Sequence, residues 1–307
     1  MTTAKLASPT APRGNWYADL SLLLVAIVWG SSYLTTKSVL EYSSVFAFLF
    51  VRFTITVLLM LPFVWKSLRS ASREEWRIGT VFGLFLFAIF SLETIGVSYT
   101  SASNAGFLIA MTIMLTPIIE GIVFRRFPGW SLLGAVLLSV IGTAFLTLKD
   151  GYSFNPGDFL VLGAALVRAI QMTYTQKMTQ GKTMNSGVLT IIQLAVVAVF
   201  TGVITLMQKG GAAAAFPASF TFWSIALYLS LFGTLFAFYI QMTMIRKTSP
   251  SRVGLLLGME PVFAALFAVM IGGEQLGLIG WFGGLLIVGA TFWGRYAETR
   301  RRLQAES

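Results

Sequence analysis

The chain has no cysteine and no histidine. The first absence removes thiolate nucleophiles, disulfides and thiolate-ligated metals. The second removes the usual zinc sets and imidazole as a base or proton relay. Without histidine neither a metalloprotease helix nor a Ser-His dyad can be assembled, and no paired aspartates stand within an apolar run. Charge is scarce as well: Asp, Glu, Lys and Arg make up 11% of 307 residues, against 56% hydrophobic residues. That balance is too apolar for a soluble domain, so a bilayer must serve as solvent. A nucleotide-driven pump is excluded too, because Gly181-Lys182-Thr183 has glutamine, Gln176, where a P-loop needs its first glycine. A channel's filter motif or ring of charge, and a voltage sensor's arginine at every third position, are also missing.

What is present is a series of apolar runs, each near the roughly 20 residues that one helical crossing takes. Hydropathy predicts helices at about 17–36, 43–65, 76–97, 101–123, 129–148, 158–178, 187–207, 221–244, 251–271 and 278–295. The chain therefore reads as an all-α integral membrane protein of ten transmembrane helices. Residues 1–16 form a polar leader, 17–149 and 157–295 two five-helix repeats, and 296–307 a tail. The first run is too long for a secretory h-region and has no persuasive cleavage site, so it reads as a retained helix.

Net charge is +10, yet the basic residues are scattered singly through short loops, which argues against nucleic acid. Their distribution encodes orientation. With the N-terminus in the cytoplasm, every Lys and Arg falls on the cytoplasmic side except Lys37, Lys149 and Lys209 opposite, and Arg52 and Arg168 within spans. Both termini are expected to be cytoplasmic in a cell or inner membrane. Five spans per half force the second half to enter from the other side, giving an inverted repeat. Matching segments support the division. Tyr99 to Asn104 opens the fourth span as Lys247 to Arg252 opens the ninth; Pro117 and Pro261 follow; Gly129-Trp130 and Gly280-Trp281 begin the last helix of each half. Gly79 with Gly83, Gly254 with Gly258 and Gly280 with Gly284 have a small-xxx-small spacing that suits close helix packing, and no dimerisation signal is read into them.

Trp29-Gly30-Ser31-Ser32-Tyr33 with Lys37, Arg52-Phe53, Thr100-Ser101-Ala102-Ser103 and Glu260-Pro261 together resemble the EamA-type branch of the drug/metabolite transporter superfamily. The resemblance spans nearly the whole chain and, within the superfamily, extends to amino-acid exporters of the YddG type. It implies a ten-helix exporter with a central cavity between the halves and the fifth and tenth helices peripheral.

Ionisable groups inside a bilayer normally face a cavity or a partner. Arg168 falls near the middle of the sixth helix, with Gln171, Met172 and Thr175 at helical spacing on its face. It either lines a cavity or pairs structurally with helix-end carbonyls or a nearby carboxylate. Trp29, Ser32, Tyr33 and Thr36 form a corresponding stripe on the first helix, and repeat alignment sets Arg168 close to the place of Trp29. A cation there would hold a substrate carboxylate, with the Trp29 and Tyr33 rings as a wall. Ser32, Gln171 and Tyr239 are candidate hydrogen-bonding partners for the substrate. Four further residues are candidates for coupling or gating. Lys37 either serves there or snorkels to the headgroups. Glu93 is expected to pair with Lys37 or Arg52. Asn104 binds cargo or caps a helix. Glu260, before Pro261, carries a coupling proton, or bonds loosened backbone or Arg168.

These readings predict a secondary transporter that exports small amphipathic metabolites, amino acids foremost, by alternating access. Its partners are a small-molecule substrate and membrane lipid, without nucleic acid, metal or cofactor, and it is expected to act as a monomer. An uncoupled facilitator or lipid-metabolite flippase is the alternative within transport, and a membrane-embedded enzyme the alternative outside it.

Overall fold

The computed structural model describes residues 16–100, 102–147, 156–208, 216–270 and 277–306. The leader up to residue 15, Lys149, Lys209, most of the linker after Gly210 and the Gly272-Gly273 joint lie outside them. The described residues contain helices and no strand. In chain order the helices are α1 Trp16–Val39, α2 Val45–Arg69, α3 Arg73–Tyr99, α4 Ala102–Ala110, α5 Thr112–Phe124, α6 Trp130–Thr147 and α7 Pro156–Thr179. They continue with α8 Ser186–Met207, α9 Phe220–Ser230, a π-helical segment Leu231–Phe236, α10 Ala237–Lys247, α11 Pro250–Leu257, α12 Glu260–Met270 and α13 Leu278–Glu306.

Ten rods result once α4 and α5, the α9–π–α10 series, and α11 and α12 are each taken as one. Their bounds follow the hydropathy reading to within a few residues. The exception is α13, which continues through the supposed tail to Glu306, where Ala, Glu, Arg, Leu and Gln all favour helix. Among the described residues six stretches are long and apolar enough to cross a membrane: Trp16–Val39, Val45–Arg69, Arg73–Tyr99, Ser186–Met207, Phe220–Lys247 and Pro250–Phe267. Leu108–Phe124, Trp130–Phe145 and Leu278–Gly294 are shorter apolar helices. The α7 helix has the length, but Arg168, Gln171 and Gln176 dilute its apolarity.

Two rods are broken near their middles. Between α4 and α5 the chain tightens at Met111, whose N–H donates to the Leu108 carbonyl three residues back at 3.1 Å. Between α11 and α12 it tightens at Gly258-Met259, one turn before Pro261, where the missing proline N–H leaves the ladder incomplete. Pro117, the counterpart of Pro261 in the first half, lies inside α5.

The α3 helix packs chiefly on α7 and α8, α2 on α8, and α1 on α12, α10 and α11, so elements of the two sequence halves interleave. Gly79 and Gly83 let α3 approach α8 closely: a Cβ at either would stand 2.8 Å from the Ile192 Cβ or 2.5 Å from the Val196 Cβ. Gly284, by contrast, has nothing within 4 Å of that position, so its spacing with Gly280 marks no close contact. The α6 and α13 helices, the fifth and tenth rods, pack mainly on each other. The main apolar core gathers around Leu22, Phe48, Phe53, Leu86, Ile191 and Phe222.

Candidate functional site

A cavity of about 30 Å³ lies where α1, α2, α3, α7 and α12 meet. Trp29, Ser32, Tyr33 and Thr36 line it from α1; Arg52 from α2; Phe90, Glu93, Thr94 and Val97 from α3; Arg168 from α7; and Glu260 from α12. A water needs roughly 10–15 Å³ by this measure, so the cavity as it stands has room for about two. A second cavity of about 20 Å³ lies beside both helix breaks, against Ile109, Ile113, Met172 and Gly258, and Arg168 and Glu260 line this one too.

Four charged side chains converge on the larger cavity, and their pairing follows from the helices that carry them. The Arg168 Nη2 donates to Glu93 Oε2 at 2.9 Å, joining α7 to α3. The Arg168 guanidinium also stands 5.1 Å from the centre of the Trp29 ring, a cation–π contact between the positions that the repeat alignment paired. The Tyr33 hydroxyl donates to Glu260 Oε1 at 2.5 Å, joining α1 to the start of α12. Close packing enforces that contact: a Cβ on Gly30 would stand 2.8 Å from the Ala264 backbone nitrogen. Arg52 donates from Nε to Thr234 Oγ1 at 2.7 Å and from Nη2 to the Gly233 carbonyl at 3.2 Å. The Trp29 Nε1 donates to that same carbonyl at 2.9 Å. Two guanidiniums and two carboxylates thus face one small space, with fixed charge balanced when all four are ionised.

The cavity therefore brings together Trp29, Ser32, Tyr33, Arg168, Glu93 and Glu260. Glu93 pairs with Arg168, a correction to its expected pairing with Lys37 or Arg52. Gln171 is buried in α7 but does not line the cavity. Tyr239 is 43% exposed; the buried face of α10 runs through Ala237, Phe238, Gln241, Met242 and Ile245, which points Tyr239 away from it. Lys37 is exposed at the end of α1. Asn104 falls in α4, with its side chain outside the described residues.

Two further features have no counterpart in the sequence reading. Arg52 lines the cavity although sequence offered it only as an ion-pair partner. Near the N-terminus of α1, Asp19 accepts from Arg252 of α11 in a fork, Nη2 to both carboxylate oxygens at 2.8 and 2.9 Å and Nε to Oδ1 at 3.2 Å. Both residues are buried. Around that pair Glu120 accepts from the Ser251 hydroxyl and from its N–H, and Gln176 Nε2 donates to the Thr248 carbonyl at 2.8 Å. Asp19 is the one acid in an apolar helix, a signal that it needed a partner, but nothing local in sequence names residue 252.

A bundle of apolar rods around a buried cavity lined by two arginines and two glutamates defines a multi-pass membrane protein with an internal polar site. Residues 16–148 and 155–294 each match the EamA-like transporter family, and the chain belongs to that family. It is 31% identical over 273 residues to an uncharacterized transporter of Archaeoglobus fulgidus, covering 89% of this chain and 83% of that one. It is 26% identical over 270 residues to the uncharacterized inner membrane transporter YedA of Escherichia coli, covering 85% of each. A solved crystal structure shares the fold with a TM-score of 0.75 at 16% identity, covering 94% of this chain and 99% of the other. The chain is a membrane transporter, as its family and these relatives indicate.

Proposed function

We propose that the protein is a secondary carrier that exports zwitterionic small molecules, amino acids foremost, through the Arg168–Glu93 cavity. The observation that carries this reading is the ion pair itself: 2.9 Å long, lining the cavity and backed by Trp29. A carboxylate arriving alone at Arg168 strands Glu93, and a cation alone at Glu93 strands Arg168. Leaving one partner of a buried pair uncompensated costs about 3–5 kcal/mol. A molecule bearing both charges replaces the pair with two new ones and strands neither. Trp29 and Tyr33 then offer an apolar wall, and Ser32 and Thr36 hydroxyl groups.

The halves are inverted in this proposal, five spans each, and each fourth span carries a break beside the cavities. The basic end faces the cytoplasm. The Asp19–Arg252 fork and the Glu120–Ser251 contact close that end, and a cavity fit only for water corresponds to a shut, substrate-free form. Alternating access then requires these contacts to part. Glu260, held by a tyrosine hydroxyl and bordering both cavities, carries the coupling proton.

Counterflow in liposomes containing the purified protein tests the proposal, with each labelled L-amino acid presented against its unlabelled form. Saturable exchange of at least one is expected; no exchange of any would overturn the amino-acid reading. Glu260→Gln is expected to retain exchange while losing accumulation driven by an imposed proton gradient. Accumulation by that variant equal to the parent would remove Glu260 from coupling, and a parent indifferent to the gradient would identify a facilitator.

A further inference from the structure

Of the two guanidiniums at the cavity, Arg168 is ion-paired with Glu93 and Arg52 is not. Arg52 is 5% exposed, and among the described residues no carboxylate lies within ion-pair distance of it. Its guanidinium is instead spent on one helix of the opposite half, at Thr234 Oγ1 and the Gly233 carbonyl, while its flank rests 5.1 Å from the Phe90 ring centre. Two hydroxyls are shared between the same backbones: Ser230 Oγ lies 2.6 Å from the Ala226 carbonyl of its own helix and 2.9 Å from the Arg52 carbonyl, and Thr56 Oγ1 lies 2.9 Å from the Arg52 carbonyl and 3.1 Å from that of Ser230. The far-side groups that Arg52 and Thr56 meet all lie in or beside the π-helical segment Leu231–Phe236.

A π turn holds one residue more than an α turn and is rare outside functional positions. It persists where outside groups satisfy its backbone. Here the Gly233 carbonyl takes two donors from the first half, Arg52 Nη2 and Trp29 Nε1. Gly233 has room for the guanidinium because it lacks a side chain: a Cβ would stand 3.2 Å from that Nη2. Trp29 is the cavity wall, and the carbonyl that fixes its ring is held in turn by Arg52.

We propose that Arg52 is a positioning residue, which fastens the π segment through Thr234 and Gly233 and thereby sets the Trp29 wall of the cavity. It acts on the cavity through the segment and needs no contact with cargo to do so.

The chain's lack of cysteine permits a test that requires no knowledge of the substrate. A single cysteine at Ser32, which lines the cavity, is labelled with a water-soluble methanethiosulfonate in the purified full-length protein. Thr234→Val removes the Arg52 Nε acceptor at a fully buried position outside the cavity lining. Loss of one charged hydrogen bond is expected to raise the labelling rate by about tenfold. Arg52→Lys, which cannot reach both acceptors as a fork, and Trp29→Phe, which lacks the N–H, are expected to do the same. Thr234→Val combined with Arg52→Lys is expected to go no further than Arg52→Lys alone, since Thr234 acts on the cavity through Arg52. A cysteine at Ser139 in α6, also fully buried, reports general loosening and is expected to keep its rate. Overturning results are an unchanged rate in Thr234→Val, additive effects of the two substitutions, or an equal rise at Ser139.

Discussion

Replacing Arg168 with alanine is expected to abolish transport and to lower the melting temperature of the purified protein. The guanidinium is buried, 2.9 Å from Glu93 and 5.1 Å from the Trp29 ring centre. Its removal leaves a carboxylate in a closed cavity with its cation gone, a loss of about 3–5 kcal/mol. Arg168→Lys keeps a charge but not the planar fork that stacks on Trp29, so folded protein without transport is expected. Stability and function separate in a double variant, Arg168→Met with Glu93→Leu. Replacing a buried pair by apolar residues of similar volume is often neutral or stabilising, so this variant is expected to melt near the parent and still carry nothing. Normal exchange by the double variant would reduce the ion pair to architecture.

The second large effect is expected at the basic end. Asp19→Ala leaves the Arg252 guanidinium, buried and held by three hydrogen-bond contacts to one carboxylate, with its counter-charge removed. A cost of about 3–5 kcal/mol falls on the form in which α1 meets α11. If that contact closes the cytoplasmic end, its loss shifts the protein toward the form open there. A cysteine at Thr116, fully buried and 3.6 Å from the Cβ position of Gly254 in α11, is expected to react slowly in the parent and fast in the Asp19→Ala background. Exchanging the two charges, Asp19→Arg with Arg252→Asp, is expected to restore much of the protection. Equal reactivity at Thr116 with and without Asp19 would show that the pair does not close this end.

Hydropathy revealed nearly all of the helices, because a bilayer imposes one length scale and one polarity on every crossing. The stripe of Trp29, Ser32, Tyr33 and Thr36 also came through, since a lone helix repeats every 3.6 residues and its polar face can be read directly. Contacts between helices were harder. Glu93 and Arg168 are 75 positions apart, and Asp19 and Arg252 are 233 apart, so which charge meets which depends on how rods interleave. Sequence set Glu93 toward Lys37 or Arg52 by depth alone, whereas the packing of α3 on α7 brings it to Arg168. Tyr239 was a candidate by its polarity within a span, and polarity alone carries no information about helical face. The period of Phe238, Gln241, Met242 and Ile245 would have turned it outward. The π segment left no mark in composition, since Leu231 to Phe236 reads as ordinary apolar helix.

The central claim is that the cavity accepts molecules bearing both charges, and counterflow with a matched trio tests it most directly. The trio comprises an amino acid that the protein exchanges, the amine lacking its carboxylate, and the acid lacking its ammonium group. Each competes in turn against the labelled amino acid in liposomes containing the parent protein. The account predicts that the amino acid competes and that both single-charge analogues fail at equal concentration. Competition by either analogue as strong as by the amino acid would contradict it, because the Arg168–Glu93 pair would then open without replacement of both its partners.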